Sequence, residues 1–274
     1  MNATNPEPLI PPILLVGCGR MGAALLAGWR ERGLAPSVAI DPAPEAQRHA
    51  KSDLAVLADA GAIPTGFAPA AVVLAVKPQN AADALAPLTR FAASAVTLSI
   101  MAGRTIAGIR RLLGGTAAVV RAMPNTPAAI RQGVSVACAA EGVSPAQRAL
   151  CDRLLRSIGT VTWADEEGLL DPVTAVSGSG PAYVFLLAEL LEQAAIAQGI
   201  PGEMARLLAR QTVAGSGALL VAGNEDAAQL RKAVTSPGGT TERALAVLMA
   251  PDAWPATLSR AIAEATARSR ELAQ

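Results

Sequence analysis

The chain has 274 residues, and its 23 basic and 22 acidic side chains leave a formal net charge of +1. That length suits one large or two medium domains, and the near-neutral charge with no basic run excludes an ordinary nucleic-acid partner. Apolar residues make up 51% of the chain but aromatics only 3%, so the core must be closed by small aliphatic side chains. The cysteines, Cys18, Cys138 and Cys151, are odd in number, and His49 is the only histidine. This composition fits a reducing cytoplasm, offers no Cys/His metal set and supplies no convincing Ser-His-Asp triad.

Residues 1–12 (MNATNPEPLIPP) have neither the positive start nor the apolar run of a signal peptide and read as a frayed tail. No apolar run approaches the roughly 18–20 residues of a spanning helix, so no membrane partner is expected. Residues 13–16 (ILLV) read as a buried strand. Gly17-Cys18-Gly19-Arg20-Met21-Gly22 follows, then a helix over 21–32. G-x-G-x-x-G between strand and helix is the dinucleotide fingerprint. The first Gly makes the tight turn, the second admits the pyrophosphate and the third lets helix and strand pack closely. Cys18 within it is a small filler or a redox-sensitive thiol.

A second strand over 38–40 ends at Asp41. An acid about 20 residues past the fingerprint can bond the ribose 2′-OH of NAD; as a helix N-cap before Pro42, Asp41 has an equal claim. Residues 44–60 read as a helix carrying His49. Strands follow at 71–76, 96–100, 117–122, 134–139 and 160–163, with helices at 80–91, 106–113 and 144–158 between them. The alternation predicts an α/β fold with a doubly wound, mostly parallel sheet. Ligands of such sheets lie off the carboxyl ends of the strands, which places Lys77, just after the third strand, towards the cofactor.

Beyond residue 164 only helical periodicity remains, giving two domains, 13–164 and 165–274. Asp171-Pro172 and Ser177-Gly178-Ser179-Gly180-Pro181 break the chain, and helices are expected at 183–198, 202–221, 226–234 and 252–272. The first of these is apolar around most of its circumference and calls for burial in a dimer. Ser177 and Ser179 either touch a ligand or cap the helix after Pro181. Between the last two helices lies Thr235-Ser236-Pro237-Gly238-Gly239-Thr240-Thr241, leading into a further helix over 240–248. A hydroxyl-rich, glycine-rich turn at a helix N-terminus is a seat for a carboxylate or phosphate. The plainer alternative is a well-capped helix after a tight turn.

Five segments taken together, GCGRMG at the start, AVKPQ at 75–79, MPNTPA at 123–128, SGSGPAY at 177–183 and TSPGGTTERAL at 235–245, resemble pyrroline-5-carboxylate reductase in order and spacing. The resemblance covers nearly the whole chain after the tail, and its last two segments are far more specific than the glycine fingerprint. It implies a Rossmann domain followed by an all-α dimerisation domain, a homodimer often assembled further into decamers, and a cytoplasmic enzyme of proline biosynthesis. The reaction implied is reduction of the C5=N bond of 1-pyrroline-5-carboxylate to L-proline by NADPH or NADH, in a site completed by a partner subunit.

Carried over residue by residue, Gly17, Gly19, Met21 and Gly22 match the dinucleotide loop. Ala75, Val76, Lys77 and Pro78 match the segment along the cofactor, Ala102 and Gly103 a further contact, and Asn125 falls beside the nicotinamide. Val234, Ser236, Gly239, Thr240 and Thr241 match the substrate loop, with Thr241 at the position that bonds the imine nitrogen. Two departures stand out. Residues 61–70 lack the Asn that many members carry on the adenine side. After the second strand stand Asp41-Pro42-Ala43 rather than the Ser, Thr or Arg of members that prefer NADPH, so the choice between NADH and NADPH stays open, with Arg48 as a candidate phosphate ligand. The rivals are another cyclic-imine or 2-hydroxy-acid reductase of the same architecture, which would call on Lys232, and a non-catalytic dinucleotide sensor.

Overall fold

Residues 10–273 are described by the structure, a computed structural model. They form two compact units, residues 10–178 with 265–273, and residues 179–264. The division at Gly178 falls later than the expected 164, because the start of the helical region stays with the sheet.

The first unit is built on eight strands: β1 Ile13–Val16, β2 Ser37–Ile40, β3 Leu54–Leu57, β4 Ala71–Leu74, β5 Val96–Ser99, β6 Val119–Met123, β7 Gly133–Ala139 and β8 Gly159–Trp163. Their order in the sheet is β3-β2-β1-β4-β5-β6-β7-β8, and only β6–β7 is antiparallel. The four-residue strands β1, β2, β4 and β5 are buried along their whole length, as near-continuous apolar runs covered on both faces must be. Helix α1, Arg20–Glu31, covers one face. It buries Leu25, Leu26 and Trp29, and the Trp29 indole donates to the Leu154 carbonyl of α4 (Pro145–Arg156) at 3.0 Å. The helix α4 opens on a capping box in which Ser144 and Gln147 satisfy each other's backbone N–H.

Several expectations are corrected. The frayed tail does not extend to residue 12: Ile10 is buried and donates its N–H to the Gly33 carbonyl, and residues 1–9 lie outside the described residues. The helix expected over 44–60 is a short 3-10 turn, Pro44–His49, then strand β3. Ala-rich sequence favours helix by propensity, but Leu54–Leu57 finds a partner in β2 and takes the sheet edge. The helix expected over 80–91 shortens to α2, Ala81–Leu85, and continues as 3-10 turns around Pro87, whose ring removes a helical donor. Helix α3, Ile106–Leu112, stands where expected, capped by Thr105.

The break expected at Asp171-Pro172 is absent, whereas the one at Ser177–Pro181 is found: Ser179 is a bend, and Pro181 lies in the first turn of the helix that follows. The apolar stretch Glu167–Ala197 comprises a 3-10 turn, α5 (Leu170–Val173), a π-helical segment (Thr174–Gly178) and, after the bend at Ser179, α6 (Gly180–Ala197). Pro172 sits in a first turn, where no N–H is needed. Pro181 likewise falls in the first turn of α6, where its missing N–H costs no helical bond. By length and composition alone this stretch is apolar enough to cross a membrane, contrary to the expectation from apolar runs. Glu167 at its start accepts from buried Arg121 of β6 at 2.6 Å and from the Ile106 N–H at 2.7 Å, joining sheet, α3 and helix start.

In the second unit α6 pairs with α7, Gly202–Ala222, across a turn with Gly199 at φ +88°. Helices α8, Ala227–Ala233, and α9, Thr240–Leu248, follow, and then α10, Trp254–Leu272, of which residues 265–272 belong to the first unit. No residue of α6 is buried, and Phe185, Leu207 and Leu219 are 67%, 59% and 63% exposed. An apolar face of this extent needs a covering partner.

The edge strand β3 is tied down by Asp53, whose two carboxylate oxygens accept from Arg30 of α1 at 2.8 Å each. This hydrogen bond holds the Asp53 pKa below the usual carboxylate range. A depressed folded pKa contributes stability above the unfolded value, lost as pH falls through the folded one. Asp53→Asn is expected to cost about 1 kcal/mol at pH 7, since the pair is partly exposed. The gap to wild type, measured by urea unfolding, should close below about pH 4. An unchanged gap at pH 3 would assign the loss to packing instead.

Candidate active site

The turn after β1 is held by steric exclusion. Gly17 has φ +99°, and a Cβ there would stand 2.7 Å from the Ala75 carbonyl oxygen just past β4. A Cβ on Gly22 would overlap the Gly17 carbonyl oxygen, so α1 can start where it does only without one. Gly19 differs: no heavy atom lies within 4 Å of its missing Cβ. Open space over the second glycine is where a pyrophosphate approaches the backbone. Met21 packs partly buried against the core and does not face this space.

Around the turn is a cavity of about 480 Å³, whose walls include Gly17, Gly19, Asp41, Ala75, Val76 and Lys77. Parallel pairing of β2, β1 and β4 puts the three carboxyl ends side by side, so residues distant in sequence share one mouth. Asp41 Oδ2 accepts the Cys18 N–H at 2.6 Å and Oδ1 accepts the Ala43 N–H at 2.9 Å. The 3-10 turn that follows has Ala43, not Asp41, as its N-cap. Asp41 therefore locks the glycine turn and still keeps further acceptor lone pairs at the cavity wall.

Burial, with the Asp41 charge beside it, pushes the Cys18 thiol up to about 11. Its low thiolate fraction makes it a poor redox centre, and Cys18 acts as a small core residue. His49 sits outside the cavity, its pKa lowered by burial and by Arg48 and Arg30.

Other expected residues lie outside this cavity. The Pro78 carbonyl accepts two bonds from Arg104, at 3.1 and 2.8 Å. Ala102 is exposed; Gly103 has φ +68°, and a Cβ there would stand 2.7 Å from the Leu272 carbonyl oxygen, which gives that glycine a packing reason of its own. Asn125 follows β6, and its Oδ1 accepts the Val134 N–H at 2.9 Å, so its amide NH2 is the end that remains to donate. Asp59, Asn80 and Asp83 line the cavity but were not read from the sequence. Asp59 follows β3, and recognising that strand would have placed it at a carboxyl end.

In the second unit the hydroxyl-rich loop makes a sharp approach to α9. Gly238 has φ +71°, and its N–H donates to Glu242 Oε2 at 2.8 Å. Gly239 is the N-cap, and no side chain caps the helix. Despite three hydroxyls nearby, Ser236, Thr240 and Thr241 do not perform the capping that their residue types suggest. Ser236 and Thr240 are exposed, Thr241 is half-buried and Val234 is 67% exposed. The first turn of α9 thus presents backbone donors and hydroxyls together, which suits a small anion. Ser179 likewise makes no capping bond at α6, while Ser177 bonds back to the Val173 carbonyl.

The nucleotide-side residues fit a dinucleotide: a glycine turn without room for a Cβ, open space over Gly19 and a carboxylate at the end of β2. Residues 12–103 match a family model described as NADP oxidoreductase coenzyme F420-dependent, and residues 167–272 match one described as pyrroline-5-carboxylate reductase dimerisation. The pyrroline-5-carboxylate reductase of Pseudomonas aeruginosa is 38% identical over 270 residues, covering 96% of this chain and 97% of that protein. The structure of a pyrroline-5-carboxylate reductase from Coxiella burnetii superimposes with a TM-score of 0.87 at 32% identity, over 96% of this chain and 98% of that one. A Plasmodium falciparum pyrroline carboxylate reductase crystallised with NADP superimposes at 0.81 with 26% identity, over 97% and 100%. With likeness of this degree running through both the glycine turn and the hydroxyl-rich loop, the chain belongs to the pyrroline-5-carboxylate reductase family.

Proposed function

We propose that this protein reduces 1-pyrroline-5-carboxylate to L-proline with a reduced nicotinamide dinucleotide. The observation that carries the reading is end-to-end similarity to a pyrroline-5-carboxylate reductase at 38% identity. When bound, the dinucleotide supplies the hydride for the imine carbon. The protein's own work is then binding, orientation and proton placement. Gly17, Gly19 and Gly22 shape the pyrophosphate seat, and Met21 supports the turn from below. Asp41 takes the ribose. Ala75, Val76, Lys77 and Pro78, with Ala102 and Gly103, border the cofactor, and Asn125 donates to the nicotinamide carboxamide.

The substrate is a small ring with one carboxylate and one imine. The Thr240 N–H and the Ser236 hydroxyl hold the carboxylate, and Val234 flanks the ring. Gly239 donates its own N–H to the Ser236 carbonyl at 3.0 Å, so it shapes the seat rather than donating to it as expected. The Thr241 hydroxyl donates to the ring nitrogen. A protonated imine is already a strong electrophile, so the site needs no strong acid, and positioning supplies most of the acceleration. The rival 2-hydroxy-acid reductase reading relies on Lys232, an exposed residue of the short helix α8. A sensor needs no hydroxyl-rich loop.

The protein is a homo-oligomer; we propose a dimer as its unit, with decamers as the larger assembly. The exposed apolar faces of α6 and α7 are covered by a second copy, and this, rather than a membrane, is the partner for the apolar Glu167–Ala197 stretch. No nucleic acid is involved, and the setting is the cytoplasm, where the reductant and the thiols are kept reduced.

The direct test is dinucleotide oxidation followed at 340 nm with racemic 1-pyrroline-5-carboxylate. Turnover is expected, and its absence in a folded sample that binds dinucleotide would overturn the substrate assignment. Thr241→Ala should keep the fold and dinucleotide affinity yet lower turnover roughly 5- to 150-fold, the equivalent of one oriented hydrogen bond. Wild-type turnover in that variant would remove Thr241 from the chemistry. Phe185→Glu should yield monomers in sedimentation experiments, with activity falling; a dimeric variant would place the interface elsewhere.

A further inference from the structure

The cavity beside the glycine turn is acidic. Asp41, Asp59 and Asp83 line it, with Lys77 as its one cationic side chain. NADH and NADPH differ only at the ribose 2′ position, which carries a hydroxyl in one and a phosphate of nearly two negative charges in the other. Resting on the reductase reading above, we infer that this pocket selects NADH over NADPH, with Asp41 as the main specificity-determining residue and Asp59 as its second.

The argument turns on what Asp41 is able to do. Each of its carboxylate oxygens accepts one backbone N–H, from Cys18 and from Ala43. Each oxygen keeps a further lone pair, so the group accepts from ribose hydroxyls without giving up either bond. A 2′-phosphate is almost entirely an acceptor and has no proton to give. It meets a carboxylate that is half-buried, where like charges are poorly screened. Rotation away would strand the Cys18 N–H inside the turn that binds the pyrophosphate, so relief of the repulsion dismantles the pocket.

Asp59 is held in the same way. Its Oδ1 accepts the Gly61 N–H at 2.8 Å and caps the 3-10 turn after β3. Among the described residues Lys77 is the one cation on the cavity wall, set against three carboxylates, and no arginine lines it. Arg30 is engaged bidentately by Asp53 and donates to the His49 carbonyl, and the Arg48 Nε stands 3.3 Å from the His49 ring. Neither arginine lines the cavity, so the phosphate role open to Arg48 from the sequence finds no support. Asp59 and Asp83 are exposed, and their share of the repulsion is the part that salt screens.

The test is equilibrium binding of NADH and NADPH, read by nicotinamide fluorescence, alongside steady-state kinetics with 1-pyrroline-5-carboxylate. Wild-type protein is expected to bind NADH at least about tenfold tighter than NADPH, the preference shrinking as salt rises. Asp41→Ser should bring the two affinities to within about threefold by weakening NADH and strengthening NADPH. Asp59→Asn keeps the cap on Gly61 without the charge and should strengthen NADPH alone. Equal or tighter NADPH binding by the wild type, or an unchanged ratio in Asp41→Ser, overturns the inference. Failure to bind either dinucleotide, or to reduce the imine with either, overturns the reductase reading itself and is seen separately.

Discussion

Three stretches of backbone meet at the turn after β1 with no volume to spare. The turn itself, the start of α1 and the chain leaving β4 approach so closely that a methyl group on Gly17 or Gly22 would collide with a carbonyl oxygen. This exclusion lets α1 lie on the sheet directly after β1 and points its first-turn N–H groups at the carboxyl ends of the strands. The Asp41 carboxylate completes the arrangement by accepting the Cys18 N–H. The geometry of the nucleotide seat, the high thiol pKa of Cys18 and the acidity of the cavity all follow from this one junction.

The helical half depends on a different constraint. Its amino acids are too apolar for water, yet α6 buries none of them within its own chain. Such a surface is tolerable only in an assembly, which makes oligomerisation a condition of solubility as well as of architecture. A π-helical segment at Thr174–Gly178 and a bend at Ser179 precede α6, which takes Pro181 in its first turn without losing a helical bond. Arg121 and Glu167 tie the start of the helical region to the sheet as a partly buried ion pair, and Glu167 also accepts the Ile106 N–H at the start of α3. Burying such a pair gains little net stability, but it defines geometry.

These two constraints suit a reaction that asks little of acid–base chemistry. The chain's one histidine is set outside the cavity, and its buried thiols at Cys18 and Cys151 are held protonated, so neither residue type brings acid–base or nucleophilic chemistry to the site. The chain has backbone N–H groups at two helix starts and hydroxyls beside one of them. Hydride addition to an iminium needs orientation above all, and oriented backbone is what this sequence supplies.

Much of this was legible in the sequence because it is local. Four-residue apolar runs, the spacing of glycines and the helical periodicity after residue 164 each record a short-range rule, and they gave seven of the eight strands and the order of the helices. The glycine turn and the hydroxyl-rich loop were legible for the same reason, since the residue types that such turns require are few. What sequence alone did not decide depended on neighbours far along the chain. β3 is a strand because β2 offers it an edge, against the helical propensity of its own residues. Ser236, Thr240 and Thr241 leave α9 uncapped where their types suggested capping. Asp41 gained its bond to the Cys18 N–H only when parallel pairing of β1 and β2 brought the two together, and Asp59 entered the cavity only through β3. Local propensity sets what each segment is able to be; pairing, packing and the obligation to satisfy buried polar groups choose among those states.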